Sequence, residues 1–433
     1  MLRKLPFVAF LVFGLVSLLS SAPLPEPRPS GTEWPQWQGP KRDNVSADKN
    51  LLKEWPKDGP ELLWTATGAG RGYSTVAISG GKFYTMGDGL STADDKDEYL
   101  SCFNEADGKQ VWKAKLGPAW NSGNESWQSS RSTPTLDGEL LYIITPHGNL
   151  VCLETAEGKE RWRKDLRKDF GGDKADGWGY SESPLVDGDK LVCTPGKAKN
   201  TMVALNKKNG ETIWSTSSKD DRGAGHSSIV IAEINKTRVY VQVTGSGPMG
   251  VRADDGKLLW NYPIDKTTAV IPTPLIKGDL VFFSAGYGRG GALLKQVPTD
   301  DGIKVEEVYG LQKDIANKHG GITRVGDRVF GDKEDSGNPW CADLMTGKVL
   351  WKKTKSEGGG SASMTYADGH LYVHYANGVM VLLEDNADAY KEVGSFKLPH
   401  SGGRPDWSHP VVAGGKLFVR EGDFIMCYDV RQK

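Results

Sequence analysis

The amino-acid sequence predicts an all-β protein, an eight-bladed β-propeller, and two observations carry this prediction. The first is composition: the 433 residues include 54 glycines and 14 tryptophans, so that glycine is enriched well above its usual share of roughly 7%. Many glycines indicate many tight turns. The second is a short pattern ending in tryptophan that recurs at the period typical of propeller blades.

The recurring pattern consists of a small residue, a glycine followed in most copies by lysine, and a tryptophan that closes the unit. The first complete copy runs from Cys102 through Gly108 and Lys109 to Trp112. Across the chain, the closing aromatic residues follow one another at intervals of 42 to 52 residues, and they are Trp64, Trp112, Trp162, Trp214, Trp260, Tyr309, Trp351 and Phe396. We expect these rings to pack between neighbouring blades.

Each unit also contains two short apolar runs separated by Asp-Gly or Gly-Gly. One example joins Thr135 to Tyr142 through Asp137 and Gly138. Such dipeptides favour the tight turns of β-hairpins, because those turns require positive φ angles. Together with the pattern that ends in tryptophan, this hairpin predicts four strands in each blade, which we call A to D.

The two ends of the chain are expected to complete one blade. The C-terminal unit contains strands near 411–412, 417–420 and 424–430 but lacks a closing strand D, whereas Leu62 to Trp64 resembles a strand D with no strands before it. Pairing the two gives eight blades closed by the N- and C-terminal strands. This arrangement leaves no open sheet edge.

The N-terminus carries an export pattern. Arg3 and Lys4 precede an apolar run from Leu5 to Leu19, and small residues follow. We therefore predict a signal peptide at 1–22, or an N-terminal anchor, since Pro23 would follow the cleavage site. A proline-rich linker over 23–33 and a single propeller over 34–433 complete the domain organisation. The protein is expected to be exported to the periplasm or cell envelope, with no membrane span unless the signal stays uncleaved.

Charge and cysteine content narrow the possibilities further. The formal net charge of -1 provides no basic field for nucleic acid. The five cysteines are odd in number and widely spaced, and four of them occupy equivalent positions in different blades. Equivalent positions lie too far apart for a disulfide, so we expect five buried thiols.

These units resemble the tryptophan-docking repeats of the pyrroloquinoline quinone (PQQ)-like propellers, over roughly Trp64 to Val430. The segment from Trp34 to Pro60 is similar to the leader of exported PQQ-like propellers of planctomycete-type bacteria. The superfamily contains quinoprotein alcohol dehydrogenases and the BamB-type propeller of the outer-membrane assembly machinery. The resemblance implies the propeller fold, but fold alone does not settle function.

The sequence lacks two features that the resemblance links to the dehydrogenases, an adjacent cysteine pair and a Cys-x-x-Cys-His haem site. We therefore expect no cofactor, and keep PQQ with calcium as the alternative. No serine, histidine and aspartate spacing stands out as catalytic, so no catalytic residue and no metal ligand is assigned.

A ligand site is expected at one mouth of the central channel. Strand polarity places the D–A and B–C connections on the same face, and the D–A connections carry unusual aromatic, Arg and His residues. The candidate ligand-binding residues are Arg71, Tyr73, Trp127, Arg131, Trp178, Tyr180, Glu182, His226, His319, Arg404, Trp407 and His409. Such residues suit a planar, anionic or sugar-like ligand or a peptide strand. The alternative is that they plug the channel and join neighbouring blades.

Three functions remain open from the sequence. The preferred hypothesis is an exported, non-catalytic scaffold, expected to be a monomer, that binds an envelope protein or a small-molecule or glycan ligand at the channel mouth. The alternatives are a PQQ- and calcium-dependent dehydrogenase of alcohols or sugars, and a carbohydrate-binding propeller without turnover.

Overall fold

The computed structural model describes residues 33–89, 95–353, 357–400 and 404–433. The predicted signal peptide and, apart from Glu33, the proline-rich linker lie outside the described residues. Everything described belongs to one compact unit. Within these ranges, no helix is long and apolar enough to cross a bilayer.

The described chain forms eight antiparallel sheets of four strands each, which confirms the predicted eight-bladed propeller. Strand β1 (Glu61–Ala66) comes first in the chain, and four blades follow it. Blade 1 contains β2 (Ala77–Ser79), β3 (Lys82–Asp88), β4 (Asp97–Asn104) and β5 (Gln110–Pro118). Blade 2 contains β6 (Thr135–Asp137), β7 (Leu140–Ile144), β8 (Asn149–Glu154) and β9 (Glu160–Asp165). Blade 3 contains β10 (Leu185–Asp187), β11 (Lys190–Cys193), β12 (Met202–Asn206) and β13 (Thr212–Thr216). Blade 4 contains β14 (Val230–Ile234), β15 (Thr237–Thr244), β16 (Gly247–Arg252) and β17 (Leu258–Asn261).

The second half of the ring repeats this arrangement. Blade 5 contains β18 (Leu275–Lys277), β19 (Leu280–Ala285), β20 (Gly290–Thr299) and β21 (Gly302–Gln312). Blade 6 contains β22 (Thr323–Val325), β23 (Arg328–Lys333), β24 (Asn338–Asp343) and β25 (Val349–Lys352). Blade 7 contains β26 (Ala362–Ala367), β27 (His370–Tyr375), β28 (Val379–Glu384) and β29 (Glu392–Lys397). Blade 8 contains β30 (Val411–Ala413), β31 (Lys416–Glu421), β32 (Phe424–Asp429) and β1. Short 3₁₀ turns occur at Glu125–Trp127, Lys313–Ile315 and Glu334–Ser336.

Blade 8 joins the two ends of the described chain, as predicted. Strand β1 pairs antiparallel with β32, with Glu61 opposite Asp429 and Ala66 opposite Ile425. The closing strand therefore comes from the N-terminal part of the chain. Because β1 and β32 are hydrogen-bonded to each other in one sheet, no strand edge stays open where the two ends of the chain meet.

The tryptophans that close the units lie between blades, which confirms the interpretation of the repeat. The indole nitrogen of Trp112 in blade 1 donates a 3.1 Å hydrogen bond to the backbone oxygen of Thr155 in blade 2. Trp162 contacts blade 3 in the same way, through Lys207 at 3.2 Å. The five cysteines are buried and free, as expected.

Residues 34–46 cross the central channel, a placement that the sequence did not predict. The first strand of each blade lies nearest the propeller axis, and this segment is hydrogen-bonded to first strands, or to the residues before them, on several sides of that axis. The contacts reach Ile78 in blade 1, Leu136 in blade 2, Ser183 and Pro184 before blade 3, Thr273 before blade 5, Thr323 in blade 6 and Tyr366 in blade 7. We call residues 34–46 the channel segment.

Candidate functional site

A cavity of about 460 Å³ opens at the face formed by the D–A and B–C connections. Its lining includes eight of the residues that the sequence singled out: Tyr73, Trp127, Arg131, Trp178, His226, His319, Trp407 and His409. The channel segment supplies another wall residue, Trp37, whose ring centroid lies 4.4 Å from that of His409. The cavity is thus a funnel mouth bounded on one side by the segment that crosses the channel.

Aromatic rings form much of the wall. The Trp407 ring lies between two others, stacked on His319 at 4.6 Å and tilted against Tyr73 at 4.8 Å. In the same wall, Trp127 and Trp178 meet edge to face at 5.8 Å. Such surfaces accept planar groups by stacking or by edge contacts.

The cavity is also rich in positive charge. Burial lowers the pKa of Arg131 to about 10, so the guanidinium stays charged at neutral pH. Its hydrogen bonds go to the backbone oxygens of Ser129 and Trp127. Arg404 likewise donates to the backbone oxygens of Glu125 and Gln128. Because carbonyl oxygens do not neutralise a cation, these side chains favour an anionic group nearby.

Both guanidinium groups flank one tyrosine ring. The carbon at the centre of the Arg131 guanidinium lies 5.7 Å from the Tyr73 ring centroid, and that of Arg404 lies 5.2 Å from it. Contacts at this distance are attractive cation–π interactions. Tyr73 therefore holds two cations at one side of the cavity.

A chain of hydrogen bonds links Asp176, His226 and Ser181. His226 Nε2 lies 2.9 Å from Asp176 Oδ2, and His226 Nδ1 lies 2.7 Å from Ser181 Oγ. Burial lowers the pKa of His226 to about 4, so the ring is neutral at pH 7. The carboxylate fixes the proton on Nε2, and Nδ1 is then the acceptor for the Ser181 hydroxyl. This order orients and polarises a hydroxyl that faces the cavity.

Asp176 remains ionised in this arrangement. Burial raises its pKa, but His226 and Lys174 together more than offset that effect and hold the pKa below its usual value. Burial lowers the pKa of Lys174 to about 8, and its ammonium group donates to the backbone oxygen of Gly225. The carboxylate beside His226 is therefore matched by a buried cation.

Four of the predicted ligand-binding residues lie elsewhere. Arg71 forms an ion pair with Asp88, with a 2.9 Å contact from Nε to Oδ1. Tyr180 is fully buried and donates to the backbone oxygen of Pro195 at 2.8 Å. Glu182 accepts from the backbone nitrogen of Thr194 at 2.8 Å and from Gln242 at 3.1 Å. Arg404 lines a separate surface recess and contacts the Tyr73 ring with its guanidinium group.

Tyr180 and Glu182 thus join blades rather than line the cavity. Successive side chains of an extended chain point to opposite sides, and Ser181 between them is the one that faces the cavity. The sequence pattern singles out the two large neighbours, whereas a small serine between them gives no such signal. The pattern likewise gives no signal for Trp37, because the leader segment gives no sign of its path through the channel, or for Asp176, which is a common loop residue.

The described cavity residues offer part of what a calcium-bound quinone would need. Arg131 and Lys318 could pair with the carboxylates of such a group. However, the described residues contain no group of three or more His, Cys, Asp or Glu side chains at the cavity that could hold a metal ion together. Asp176 is committed to His226, and Asp335 pairs with Lys318 at 2.6 Å. No step is therefore derived through PQQ or calcium.

The fold and this funnel define a PQQ-like propeller, and comparison with known proteins agrees. A family profile described as outer membrane protein assembly factor BamB matches residues 96–353, more than half of the chain. The chain belongs to this family. BamB of Moranella endobia is 23% identical over 165 residues, which are 38% of this chain and 37% of that protein.

Solved structures give the same fold. BamB from Moraxella catarrhalis superposes with a TM-score of 0.59 at 14% identity, covering 85% of this chain and 98% of that one. Quinohemoprotein alcohol dehydrogenase from Comamonas testosteroni gives a TM-score of 0.63 at 13% identity, covering 93% of this chain and 81% of that one. The chain spans 37% to 59% of the length of the curated BamB relatives that it matches.

Proposed function

We propose that this protein is an exported, non-catalytic propeller that binds a partner protein in the cell envelope through the cavity at the D–A face. The observation that carries the proposal is the cavity itself, in which aromatic walls meet the Arg131 guanidinium, whose hydrogen bonds go to backbone oxygens, at the mouth of the channel. A wall of this kind binds through area and charge and needs no cofactor.

The side chains of the cavity indicate which chemical groups of a partner protein would bind there. Stacked and edge-on rings favour a planar group, and Arg131 with Arg404 favours a negative charge beside it. A volume of about 460 Å³ is that of a small-molecule pocket, and it accepts one or two side chains. The proposed occupant is an aromatic residue of a partner segment with an adjacent carboxylate.

The family supports a protein as the partner. The matching profile and three of the relatives carry the description outer membrane protein assembly factor, and that description implies work on or with other proteins. The same relatives, together with the export pattern predicted for the N-terminus, support an envelope location.

The test is affinity capture of interacting proteins from envelope extracts of the native organism, with mass spectrometry of the captured proteins. Trp127→Ala removes a cavity ring that is 44% exposed, and Ile213→Ala is the matched control at an exposed position that is 46% exposed outside the cavity. Arg131→Gln removes one cavity charge. We expect one reproducible partner, at least tenfold depleted with both cavity variants and unchanged with the control.

Two results would reject the proposal: the absence of any reproducible partner, or capture that is equal for the wild type and the cavity variants. A glycan array tests the carbohydrate-binding alternative. A glycan that binds the wild type and not Trp127→Ala would show that the cavity binds carbohydrate. Titration with PQQ and Ca²⁺ tests the dehydrogenase alternative. A bound chromophore together with dye reduction in the presence of alcohols would show that the protein is an enzyme and not a non-catalytic scaffold.

A second candidate function is hydrolysis of an ester or acyl group, and the chain from Asp176 through His226 to Ser181 is the observation that favours it. In that reaction, Ser181 Oγ would attack the carbonyl carbon while its proton passes to His226 Nδ1, and His226 would then give that proton to the departing group. A water molecule, deprotonated by His226 in turn, would hydrolyse the acyl ester of Ser181 and restore the hydroxyl. A fluorophosphonate probe tests this candidate directly. Labelling of the wild type that is lost in Ser181→Ala supports it, and an unlabelled wild type removes it.

A further inference from the structure

Three ionisable side chains meet between blades 7 and 8, outside the cavity described above. His374 belongs to β27 of blade 7, Glu421 ends β31 of blade 8, and Asp406 lies in the connection between these blades. One nitrogen or oxygen atom of each lies within 4.8 Å of those of the other two. Atoms at this spacing can reach one common ion. We call these residues the blade 7–8 cluster.

The atoms that face each other in the cluster have no hydrogen-bond partner outside the cluster among the described residues. His374 Nε2, both carboxylate oxygens of Glu421 and Oδ2 of Asp406 are buried and have no hydrogen-bond partner among the described residues. The His374 side chain is 0% exposed and that of Glu421 is 2% exposed. Buried carboxylates without a partner are costly, so an occupant of the space between these atoms would remove a substantial penalty.

The imidazole ring of His374 is oriented so that its Nε2 atom could bind a metal ion. Its Nδ1 lies 2.9 Å from the backbone oxygen of Ser408. A carbonyl oxygen only accepts, so Nδ1 carries the proton and Nε2 presents its lone pair to Glu421, whose Oε1 lies 3.8 Å away. Histidines that bind metals are held by the same kind of hydrogen bond at the other ring nitrogen.

At two other junctions of the ring, a buried acid accepts hydrogen bonds from neighbouring side chains. At blade 3, Glu182 precedes the first strand and accepts from Thr194 and Gln242. At blade 6, Asn317 donates to the Asp332 carboxylate at 2.6 Å. The blade 7–8 junction instead has a histidine and two acids, which are metal ligands by chemistry.

The surrounding charges and the access route are compatible with an ion. The charged side chains that act on the Asp406 carboxyl are the acidic Glu421 and the basic Lys397 and Arg404, and the electrostatic effect of Glu421 is the largest of the three. Asp406 also lines a surface recess formed by 359–360, 376–377 and 404–405. An ion can therefore reach the buried pair from solvent through the Asp406 side.

We propose that His374, Asp406 and Glu421 bind one divalent first-row transition metal ion, of the Zn²⁺ or Mn²⁺ type. One imidazole nitrogen with two carboxylates matches the ligand preferences of these ions, whereas Ca²⁺ prefers oxygen alone. A doubly charged ion neutralises two carboxylates. Bound there, it links the last complete blade to the blade that closes the ring, and its remaining coordination position faces the recess.

The test is metal binding to the purified full chain after treatment with a chelator. Zn²⁺ and Mn²⁺ are titrated separately by calorimetry, and bound metal is counted by elemental analysis after desalting. We expect one ion per chain for at least one of the two metals, together with a rise in the thermal unfolding midpoint. Glu421→Gln keeps the shape of the side chain and removes a charged ligand, and it should weaken binding by at least about 100-fold.

Two further variants keep the result interpretable. Glu182→Gln changes a buried carboxyl at an equivalent junction and should bind metal as the wild type does. Asp406→Asn provides a second lesion in the cluster, and circular dichroism of each variant shows whether it is folded. A Glu421→Gln chain that folds and still binds one ion with wild-type affinity overturns the proposal.

A wild-type chain that binds neither ion saturably also overturns it. The space would then be closed by a proton shared between Asp406 and Glu421. This outcome leaves the partner-binding proposal untouched, because the cluster residues do not line the cavity.

Discussion

Replacing Gly158 by alanine tests how the repeat builds the propeller. Gly158 lies in the turn between β8 and β9 with a φ of +69°. A Cβ atom placed there would lie 2.7 Å from a ring carbon of Trp112, which belongs to the preceding blade. The same approach recurs between Gly108 and Trp64 at 2.7 Å and between Gly256 and Trp214 at 2.5 Å. In these units, the glycine therefore packs against the tryptophan of the unit before it.

The expected cost has two parts that a control separates. The left-handed backbone costs a residue with a Cβ atom about 1–2 kcal/mol, and overpacking against the indole adds about 1–3 kcal/mol. Gly138 in the hairpin turn of the same blade has a φ of +62°, and nothing lies within 4 Å of the position that a Cβ atom would take there. Gly138→Ala should therefore show the backbone cost alone, and Gly158→Ala should lower the free energy of unfolding by about 1–3 kcal/mol more.

Urea unfolding, followed by far-UV circular dichroism, measures both variants. A Trp112→Leu background completes a double-mutant cycle. With the indole removed, the extra cost of Gly158→Ala should disappear. Equal destabilisation by the two glycine variants, or a coupling energy below about 0.5 kcal/mol, would refute the idea that indole contact selects this glycine.

Three other expectations concern the closure, the thiols and a buried acid. Trp64→Ala should lower the free energy of unfolding by about 3–5 kcal/mol, because the ring stacks on Phe83 at 5.4 Å between blades 8 and 1. Trp127→Ala should lower it much less, and comparable losses for the two variants in urea unfolding would contradict this expectation. The five cysteines are buried, so Ellman's reagent should label all of them only after unfolding, and rapid labelling of the native protein would be evidence against it. Burial raises the pKa of Glu98 to about 8 from a usual value of 4.5, so the folded state keeps a proton that the unfolded state loses, and stability falls as pH rises between these values. Glu98→Gln removes this effect, and its advantage over the wild type should grow from pH 5 to pH 8; parallel stability curves would show that the pKa is not raised.

The candidate site could be predicted in part. The positions of Trp127, Trp178 and Trp407 outside the repeat marked them as residues of the channel mouth, and they line the cavity. No sequence feature singled out Asp406 or Ser181, although each is adjacent in sequence to a candidate residue. Neighbouring side chains in a loop face opposite directions, and the sequence does not state which one faces inward.

The sequence alone determined the architecture, because blade formation is governed by local chemistry. Glycine turns, alternating strands and a tryptophan at each closing position recur at a fixed period, so a count along the chain gives the number of blades and the pairing of its ends. The meeting of residues from different blades was decided only by the tertiary structure. Asp176 and His226 are 50 residues apart, and His374 and Glu421 come from separate sheets. Their proximity depends on how neighbouring blades pack around the ring, and no local pattern encodes that packing.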